Sequence, residues 1–215
     1  MRVSHFFLSA PGVRLTVEHV RCFERVLDAA LSVEGAAVYD CPYPKFDFLF
    51  YLAQRKRYLL HGSPQGHITR FEPKRRTAAL DPAVAVYATD HEIAALFAAV
   101  RPDPRLTLSG YFWARDDHGA PVPFYDFAFR AGGPAAQWSD GTVYALPRAA
   151  FDPWGSVWAS RGAVKPLIKI SVTPDDFPLR AEMLRHETQL SGGASPASGF
   201  VAAFAPGREG PALAA

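Results

Sequence analysis

The chain has little cysteine, little net charge and no long apolar run, and each of these absences excludes a class of protein. Its 215 residues include only two cysteines, Cys22 and Cys41, which are too few for a disulfide framework and are not spaced as metal ligands. We therefore expect two separate thiols, buried or incidental, in a reducing compartment. The 23 basic and 21 acidic residues leave a net charge of +2, so the global charge indicates no particular class of partner.

Targeting, membrane and metal signals are equally sparse. The apolar run from Val3 to Ala10 is short and interrupted by a histidine, which is a poor pattern for a signal peptide. No run approaches the roughly 20 apolar residues of a transmembrane helix, so we expect a cytoplasmic protein without a membrane partner. His67, His91 and His118 each stand alone at spacings unsuited to a metal, and we expect them to be solvated.

What the chain does contain is apolar material for a sizeable core, with 49% hydrophobic and 13% aromatic residues. Apolar residues at helical spacing predict helices at about Thr16–Ser32, Lys45–Gln54, Glu92–Val100 and from Pro174. Short β-rich runs predict strands at 58–61, 84–88, 106–114, 122–129, 142–146 and 164–172. Helices first and strands afterwards predict an α+β fold with a mostly antiparallel sheet.

Two helices carry more specific expectations. Thr16 is the predicted N-cap of the first helix, and either Thr89 or Asp90 is the predicted N-cap of the third. The apolar face of the first helix is expected to consist of Val20, Phe23, Leu27, Ala30 and Leu31.

Two predicted strands end in residue types that suit a small-molecule site. One strand leads into His61-Gly62-Ser63, and the next leads into Tyr87 and, two residues on, Thr89. A glycine lets a ligand approach the backbone closely, and a histidine can pair with a ribose hydroxyl. A tyrosine offers its aromatic face to a cationic ring such as nicotinamide. Taken singly, each residue is more often structural, since a His-Gly pair is common and a strand tyrosine is usually core.

The order of these motifs resembles the ADP-ribosyltransferases of the diphtheria-toxin-like and PARP-like superfamily, which carry a His-Gly-Thr/Ser turn and a later Tyr-x-Thr or Tyr-Phe-Ala strand. The resemblance is sharpest to the rifamycin ADP-ribosyltransferases and covers about residues 58–173. Further segments stand in that family's order here, namely the alanine-rich stretch 93–99, Val143-Tyr144-Ala145-Leu146-Pro147, Phe151-Asp152-Pro153 and Ser160-Arg161.

The resemblance implies an antiparallel split sheet and an NAD-dependent transferase. Such an enzyme cleaves the nicotinamide–ribose bond and passes ADP-ribose to an acceptor, without a metal. A carboxylate beside the ribose stabilises the oxocarbenium character that develops there. The implied catalytic residues are His61, Tyr87 and Asp152, and the implied NAD-binding residues are His61, Gly62, Ser63, Tyr87 and Thr89.

The resemblance leaves the acceptor open. The first 57 residues have no counterpart in the family, and a hairpin near 106–130 is additional. There is no Glu-x-Glu or Gln-x-Glu pair, so the acceptor can be a small molecule, a protein or a nucleic acid. We divide the chain into an N-terminal helical extension (1–57), an ADP-ribosyltransferase-like domain (58–190) and a flexible C-terminal tail (191–215).

Two alternatives remain on the same fold. One is an RNA 2′-phosphotransferase-like enzyme, and the other is a non-catalytic nucleotide-binding module in which Asp152 is only a turn residue. The basic segment 55–76 can contact the phosphates of NAD or of a nucleic-acid acceptor, or it can be a solvated face. Its cations are Arg55, Lys56, Arg57, Arg70, Lys74, Arg75 and Arg76.

Tryptophans give a last expectation. Trp154 and Trp158 lie close to Asp152 in the chain and can shape an acceptor pocket there. Core packing is expected for at least two of the four tryptophans, the others being Trp113 and Trp138.

Overall fold

The computed structural model describes residues 3–32, 38–75, 84–101, 106–115, 118–130 and 138–191. Two 3₁₀ turns, at Arg148–Ala150 and Pro174–Asp176, accompany the helices and strands. In chain order these are β1 (Val3–Ser9), α1 (Val17–Ser32), α2 (Lys45–Gln54), β2 (Tyr58–Ser63), β3 (Lys74–Arg75), β4 (Val84–Ala88), α3 (Glu92–Val100), β5 (Leu106–Arg115), β6 (Pro121–Arg130), β7 (Gly141–Pro147), β8 (Asp152–Trp154), β9 (Val157–Ser160), β10 (Ile168–Val172) and α4 (Arg180–Ser191).

The described strands form three sheets, and all of their pairings are antiparallel. The outer sheet has the strand order β1-β6-β5, the central sheet has β10-β7-β2, and the side sheet has β3-β4-β9-β8. Together with the four α-helices among the described residues, this confirms the predicted α+β class with antiparallel strands. β1 was not predicted, and neither was the β8–β9 hairpin.

Helices α1, α2 and α3 lie where the apolar periodicity predicts them, with α2 and α3 at the predicted bounds. Thr16 caps α1, because its hydroxyl accepts the His19 N–H at 3.4 Å. Leu31, which was expected in the core, is instead 46% exposed, since the buried stripe of α1 ends at Ala30. None of the described helices is both long and apolar enough to cross a bilayer.

Apolar side chains cluster on both faces of the central sheet. The main core lies between one face and the four helices, and its sheet residues include Leu60, Val143 and Ala145. A second cluster joins the other face to the side sheet and contains Leu59, Tyr144, Leu146, Val86 and Ala88. This division follows from the two-residue period of strands, which sends neighbouring side chains of β2 and β7 to opposite faces.

The main core does not divide at residue 57. Phe23 of α1 and Phe48 of α2 lie in the same cluster as Ile170 of β10. β1 is hydrogen-bonded to β6 along its whole length, from the Val3–Arg130 pair to the Ser9–Phe124 pair. The described part of the first 57 residues is therefore built into the sheet and core that the later residues form.

The expectation of two separate thiols is wrong. Cys22 and Cys41 form a disulfide with a Cα–Cα distance of 6.1 Å. Cys22 lies on the buried side of α1, and the chain returns past it on the way to α2. The spacing of 19 residues matches no local motif, so only the tertiary return of the chain reveals the pair.

Helix α3 lies unusually close to the central sheet, and two glycines make this approach possible. A Cβ on Gly62 would lie 1.8 Å from the Ala95 carbonyl oxygen. A Cβ on Gly141, at the start of β7, would lie 2.0 Å from the carbonyl oxygen of Ala99. Both distances are far inside van der Waals contact, so only glycine fits at either position.

Two predictions near the C-terminus need adjustment. The strand expected at 164–172 is shorter, since β10 covers Ile168–Val172 and Val164 forms only an isolated bridge with Phe71. The helix expected from Pro174 begins with a 3₁₀ turn, and α4 starts at Arg180. The predicted C-terminal tail, after Ser191, is outside the described residues.

Candidate functional site

The central and side sheets meet at one bridge between β2 and the residue after β4. Leu60 and Thr89 exchange two backbone hydrogen bonds, at 2.7 and 2.9 Å. In a continued ladder the next hydrogen-bonded pair would be Gly62 with Tyr87. There the two strands separate, and the bond across the gap comes instead from a side chain, that of His61.

His61 spans the gap. Its Nδ1–H donates to the Tyr87 carbonyl oxygen at 2.7 Å, which assigns the proton to Nδ1 in the neutral ring. Burial lowers the pKa of His61 from its ordinary value of 6.5, and the bond to Tyr87 opposes that shift. Among the described residues, Nε2 has no hydrogen-bond partner. The neutral ring therefore offers Nε2 as a hydrogen-bond acceptor.

Gly62 has two different surroundings. Its Cβ side is filled by α3, so the predicted close approach to its backbone is made there by a helix and not by a ligand. Its N–H and C=O behave differently, because backbone groups in an antiparallel strand alternate between the two edges. Since Leu60 directs its N–H and C=O toward Thr89, Gly62 directs its own toward the same edge, into the gap.

The two predicted hydroxyl groups make local turns. The Ser63 hydroxyl accepts the Gln65 N–H at 3.1 Å, and the Ser63 residue is buried. The Thr89 hydroxyl accepts the His91 N–H at 3.1 Å. The N-cap of α3 is His91, so the prediction of Thr89 or Asp90 as the cap is wrong. A residue two positions before the cap shapes the entry to the helix without capping it.

Tyr87 and Asp152 lie in one row across the side sheet. Tyr87 of β4 pairs with Ala159 of β9, which pairs with Asp152 of β8. Directly paired residues point to the same face, so the side chains of Tyr87 and Asp152 share a face with only an alanine between them. Two strand spacings separate their backbones, about 10 Å. Asp152 is exposed on the edge strand.

The two neighbouring tryptophans lie on opposite faces of the β8–β9 hairpin. Trp154, two residues after Asp152 and 37% exposed, shares the face of Asp152. Trp158 lies on the other face, where Arg148 stacks over its ring at 3.9 Å. Trp154 therefore lies on the face of Asp152, as the predicted acceptor pocket requires, and Trp158 does not. Trp138 packs against Phe177 in the main core, and Trp158 packs against the second cluster, as expected for two of the four.

The basic segment is partly neutralised. Arg55 pairs with Glu24 and lies over the Tyr51 ring at 4.9 Å. Arg70 pairs with Glu72 at 2.9 Å. The side chains of three other members, Lys56, Arg57 and Lys74, are exposed, and Arg76 lies outside the described residues.

Two polar residues near the junction make contacts that the sequence did not predict, His91 and Arg148. His91 was expected to be solvated, but its ring lies 3.9 Å from that of Tyr111, and burial lowers its pKa while Asp90 opposes the shift. Arg148 holds Trp158 and lies 3.8 Å from Asp90. No local pattern marks either contact, because each partner comes from a different strand or loop. His67 and His118 are exposed, as predicted.

Comparison of the chain with family models, with curated proteins and with solved structures found no match. Among the described residues, no three His, Cys, Asp or Glu side chains converge as metal ligands would.

Proposed function

We propose that the protein is an NAD-dependent ADP-ribosyltransferase whose site is the gap between β2 and β4. The supporting observation is the combination of a neutral His61 with an available Nε2, the Gly62 backbone directed into the gap, and the row from Tyr87 to Asp152. Hydrogen-bond groups are thereby held on β2, and an aromatic ring and a carboxylate are held on β4 and β8 of the adjoining sheet. These groups correspond to the ribose hydroxyls, the carboxamide and the developing cation of a nicotinamide dinucleotide.

Each residue has a distinct role in the proposed site. The Gly62 N–H and C=O pair with the nicotinamide carboxamide, which has both an acceptor and a donor. Tyr87 provides a ring face for the cationic nicotinamide. His61 accepts a hydrogen bond from a ribose hydroxyl through Nε2. Ser63 and Thr89 support the site by holding the turn after β2 and the entry to α3.

The proposed reaction needs no redox partner. The bond between the ribose C1′ and the nicotinamide nitrogen breaks, and the electron pair leaves with neutral nicotinamide. Asp152 stabilises the resulting oxocarbenium character, and the acceptor's nucleophile forms the new bond to C1′. The acceptor's proton passes to Asp152 or to solvent. The acceptor itself can be a small molecule, a protein or a nucleic acid.

A nucleotide-binding module without catalysis is the second candidate. The observation that favours it is the exposure of Asp152 on an edge strand, two strands away from Tyr87. A carboxylate in water stabilises a developing cation less than one in a closed site. The two candidates differ in nicotinamide release and not in NAD binding.

The test combines binding and turnover. Millimolar NAD should raise the melting temperature by mass action, and the protein should release nicotinamide, measured by chromatography, in the presence of candidate acceptors. His61→Ala should lose both effects while staying folded. His67→Ala is the matched control, since that histidine is exposed a few residues further on. No thermal shift together with no binding by calorimetry would overturn the proposal, and firm binding without release would favour the module.

We propose the cytoplasm as the compartment, because that is where an NAD-consuming enzyme finds its substrate. The Cys22–Cys41 disulfide is an argument against it, since disulfides persist in oxidising compartments. Alkylation of free thiols at cell lysis, followed by mass spectrometry of both cysteines, decides the matter. Two alkylated thiols agree with the cytoplasm, and an intact disulfide agrees with an oxidising compartment.

A further inference from the structure

We infer that Phe71 is a positioning residue for His61, and that it holds the imidazole on the Tyr87 carbonyl so that Nε2 is left for the ligand. The identity of that ligand, NAD, rests on the proposed function. The Phe71 ring centroid lies 4.6 Å from that of His61, with the two planes at 57°. Tyr144 is the residue of β7 that pairs with His61. The Phe71 ring also contacts the Tyr144 ring edge-on, with 5.1 Å between the centroids. The imidazole is thus held by the ring of Phe71 and by the hydrogen bond that it donates to the Tyr87 carbonyl of β4.

The backbone of Phe71 is anchored independently of its ring. Its N–H donates to the Val164 carbonyl at 2.8 Å, and its own carbonyl accepts the Val164 N–H at 2.9 Å. Phe71 is only 7% exposed, whereas Arg70 and Glu72 on either side of it are exposed. One residue of an otherwise exposed segment is therefore fixed by two hydrogen bonds, and that residue carries the ring that contacts His61.

The other groups around His61 are either paired with other residues or uncharged. The Tyr144 hydroxyl donates to the Gln65 carbonyl at 2.5 Å. Arg70 and Glu72 form an exposed ion pair with each other at 2.9 Å. On β4 the contact is the Tyr87 carbonyl, and on the other face of β2 helix α3 presents alanine backbone. Burial is therefore the main cause that lowers the pKa of His61, and the Phe71 ring contributes to that burial.

Nuclear magnetic resonance of the free protein tests the contact directly. In the wild-type protein, ¹⁵N shifts of His61 should show the Nδ1–H tautomer and a pKa below 6.5. Phe71→Leu should move the pKa up toward that value and mix the two tautomers. It should also weaken NAD binding on the order of tenfold, measured by calorimetry. Phe71→Tyr restores a ring and should restore the titration, the tautomer and the affinity.

Phe151→Leu is the matched control. Phe151 is also 7% exposed and belongs to the same apolar cluster, but among the described residues the ring contact of His61 is with Phe71. Phe151→Leu should lower the melting temperature about as much as Phe71→Leu and leave the His61 titration unchanged. Equal shifts in the two variants, or none in Phe71→Leu, overturn the inference. If Phe71→Leu does not fold, Phe71→Met takes its place under the same criteria. A wild-type protein that shows the tautomer effects without binding NAD refutes the proposed function and leaves the contact established.

Discussion

The β2–β4 junction and the β8–β9 hairpin hold the two halves of the candidate site in different ways. At the junction, His61 is fixed by a hydrogen bond to Tyr87 and a ring contact to Phe71, while α3 closes over Gly62. On the hairpin, Asp152 is exposed on an edge strand of three residues. The junction is packed around both His61 and Gly62, whereas the hairpin packs on one face only, through Trp158, and leaves Asp152 exposed on the other.

We infer from this difference that the junction positions the ligand and that the hairpin carries the reacting carboxylate. A ligand group held at the junction meets atoms that cannot move without breaking the core, which is the condition for pre-organised binding. The carboxylate on the hairpin has room to approach a substrate or to be replaced without a cost in packing. Substitutions at the closely packed Gly62 of the junction should therefore reduce stability first, and substitutions on the hairpin should reduce turnover first.

The largest effect is expected at the junction, for Gly62→Ala. The added Cβ would meet the Ala95 carbonyl oxygen at 1.8 Å, which forces α3 away from the central sheet. We expect a loss of about 3 kcal/mol or more in the free energy of unfolding, measured by urea denaturation. Gly162→Ala is the control, because a Cβ there has no atom within 4 Å. A stable, fully folded Gly62→Ala protein would show that α3 is not held against the sheet as described.

The next effect is expected on the hairpin, for Asp152→Asn. Loss of the charge should reduce nicotinamide release on the order of 10²-fold and leave NAD affinity within a few-fold. Because Asp152 is exposed, the melting temperature should not change. Steady-state kinetics, calorimetry and thermal denaturation measure the three quantities.

Asp140→Asn is the control for this experiment. Asp140 is also an exposed aspartate and lies directly before β7, in the central sheet. Its replacement should leave nicotinamide release unchanged. If Asp140→Asn loses the activity and Asp152→Asn keeps it, the catalytic carboxylate is at the end of the central sheet and not on the hairpin.

The smallest effect concerns the pH dependence of stability at the junction. Burial lowers the pKa of His61 below 6.5 in the folded protein, so below pH 6.5 the unfolded chain binds more protons at this site than the folded one. The contribution of the neutral ring is fully present above pH 6.5 and is lost as the pH falls through the folded pKa. For one histidine the slope is at most about 1.4 kcal/mol per pH unit.

His61→Gln isolates that contribution. The amide of glutamine can donate to the Tyr87 carbonyl but does not titrate, so stability between pH 7 and pH 5 should fall less steeply than in the wild-type protein. Comparing the two slopes cancels the other titrating groups, including buried Glu92, whose pKa burial raises. Parallel curves would show that His61 titrates as it does in the unfolded chain.

Local structure could be predicted well from the sequence. The bounds of α2, α3 and β4 are those that the apolar pattern predicts, and Thr16 caps α1. These features depend on residues within a few positions of one another, through helical or strand periodicity and capping. The same local reasoning brought out His61 and Tyr87, because a polar residue at the end of an apolar strand is visible in the chain itself.

Long-range pairings could not be predicted. β1 was missed because its partner, β6, begins more than a hundred residues later. The β8–β9 hairpin was missed because Asp152 followed by Pro153 suggested only a turn. Gly155, with φ of 60°, supplies the left-handed residue that closes the two-strand ribbon. The cysteines were taken as unpaired because a single pair has no local signature.

The chain alone determined which polar residues follow short apolar strand segments, since this depends on local pattern. Only the tertiary structure decided what surrounds them. Gly62 is occupied on its Cβ side by a helix, and its backbone groups are directed into a gap that exists because β4 diverges from β2 after one bridge. Asp152 faces the same side as Tyr87 because of the register of three strands, and a shift of one residue would have turned it away. Register and close packing are properties of whole sheets and helices in contact, so no single segment of sequence contains them.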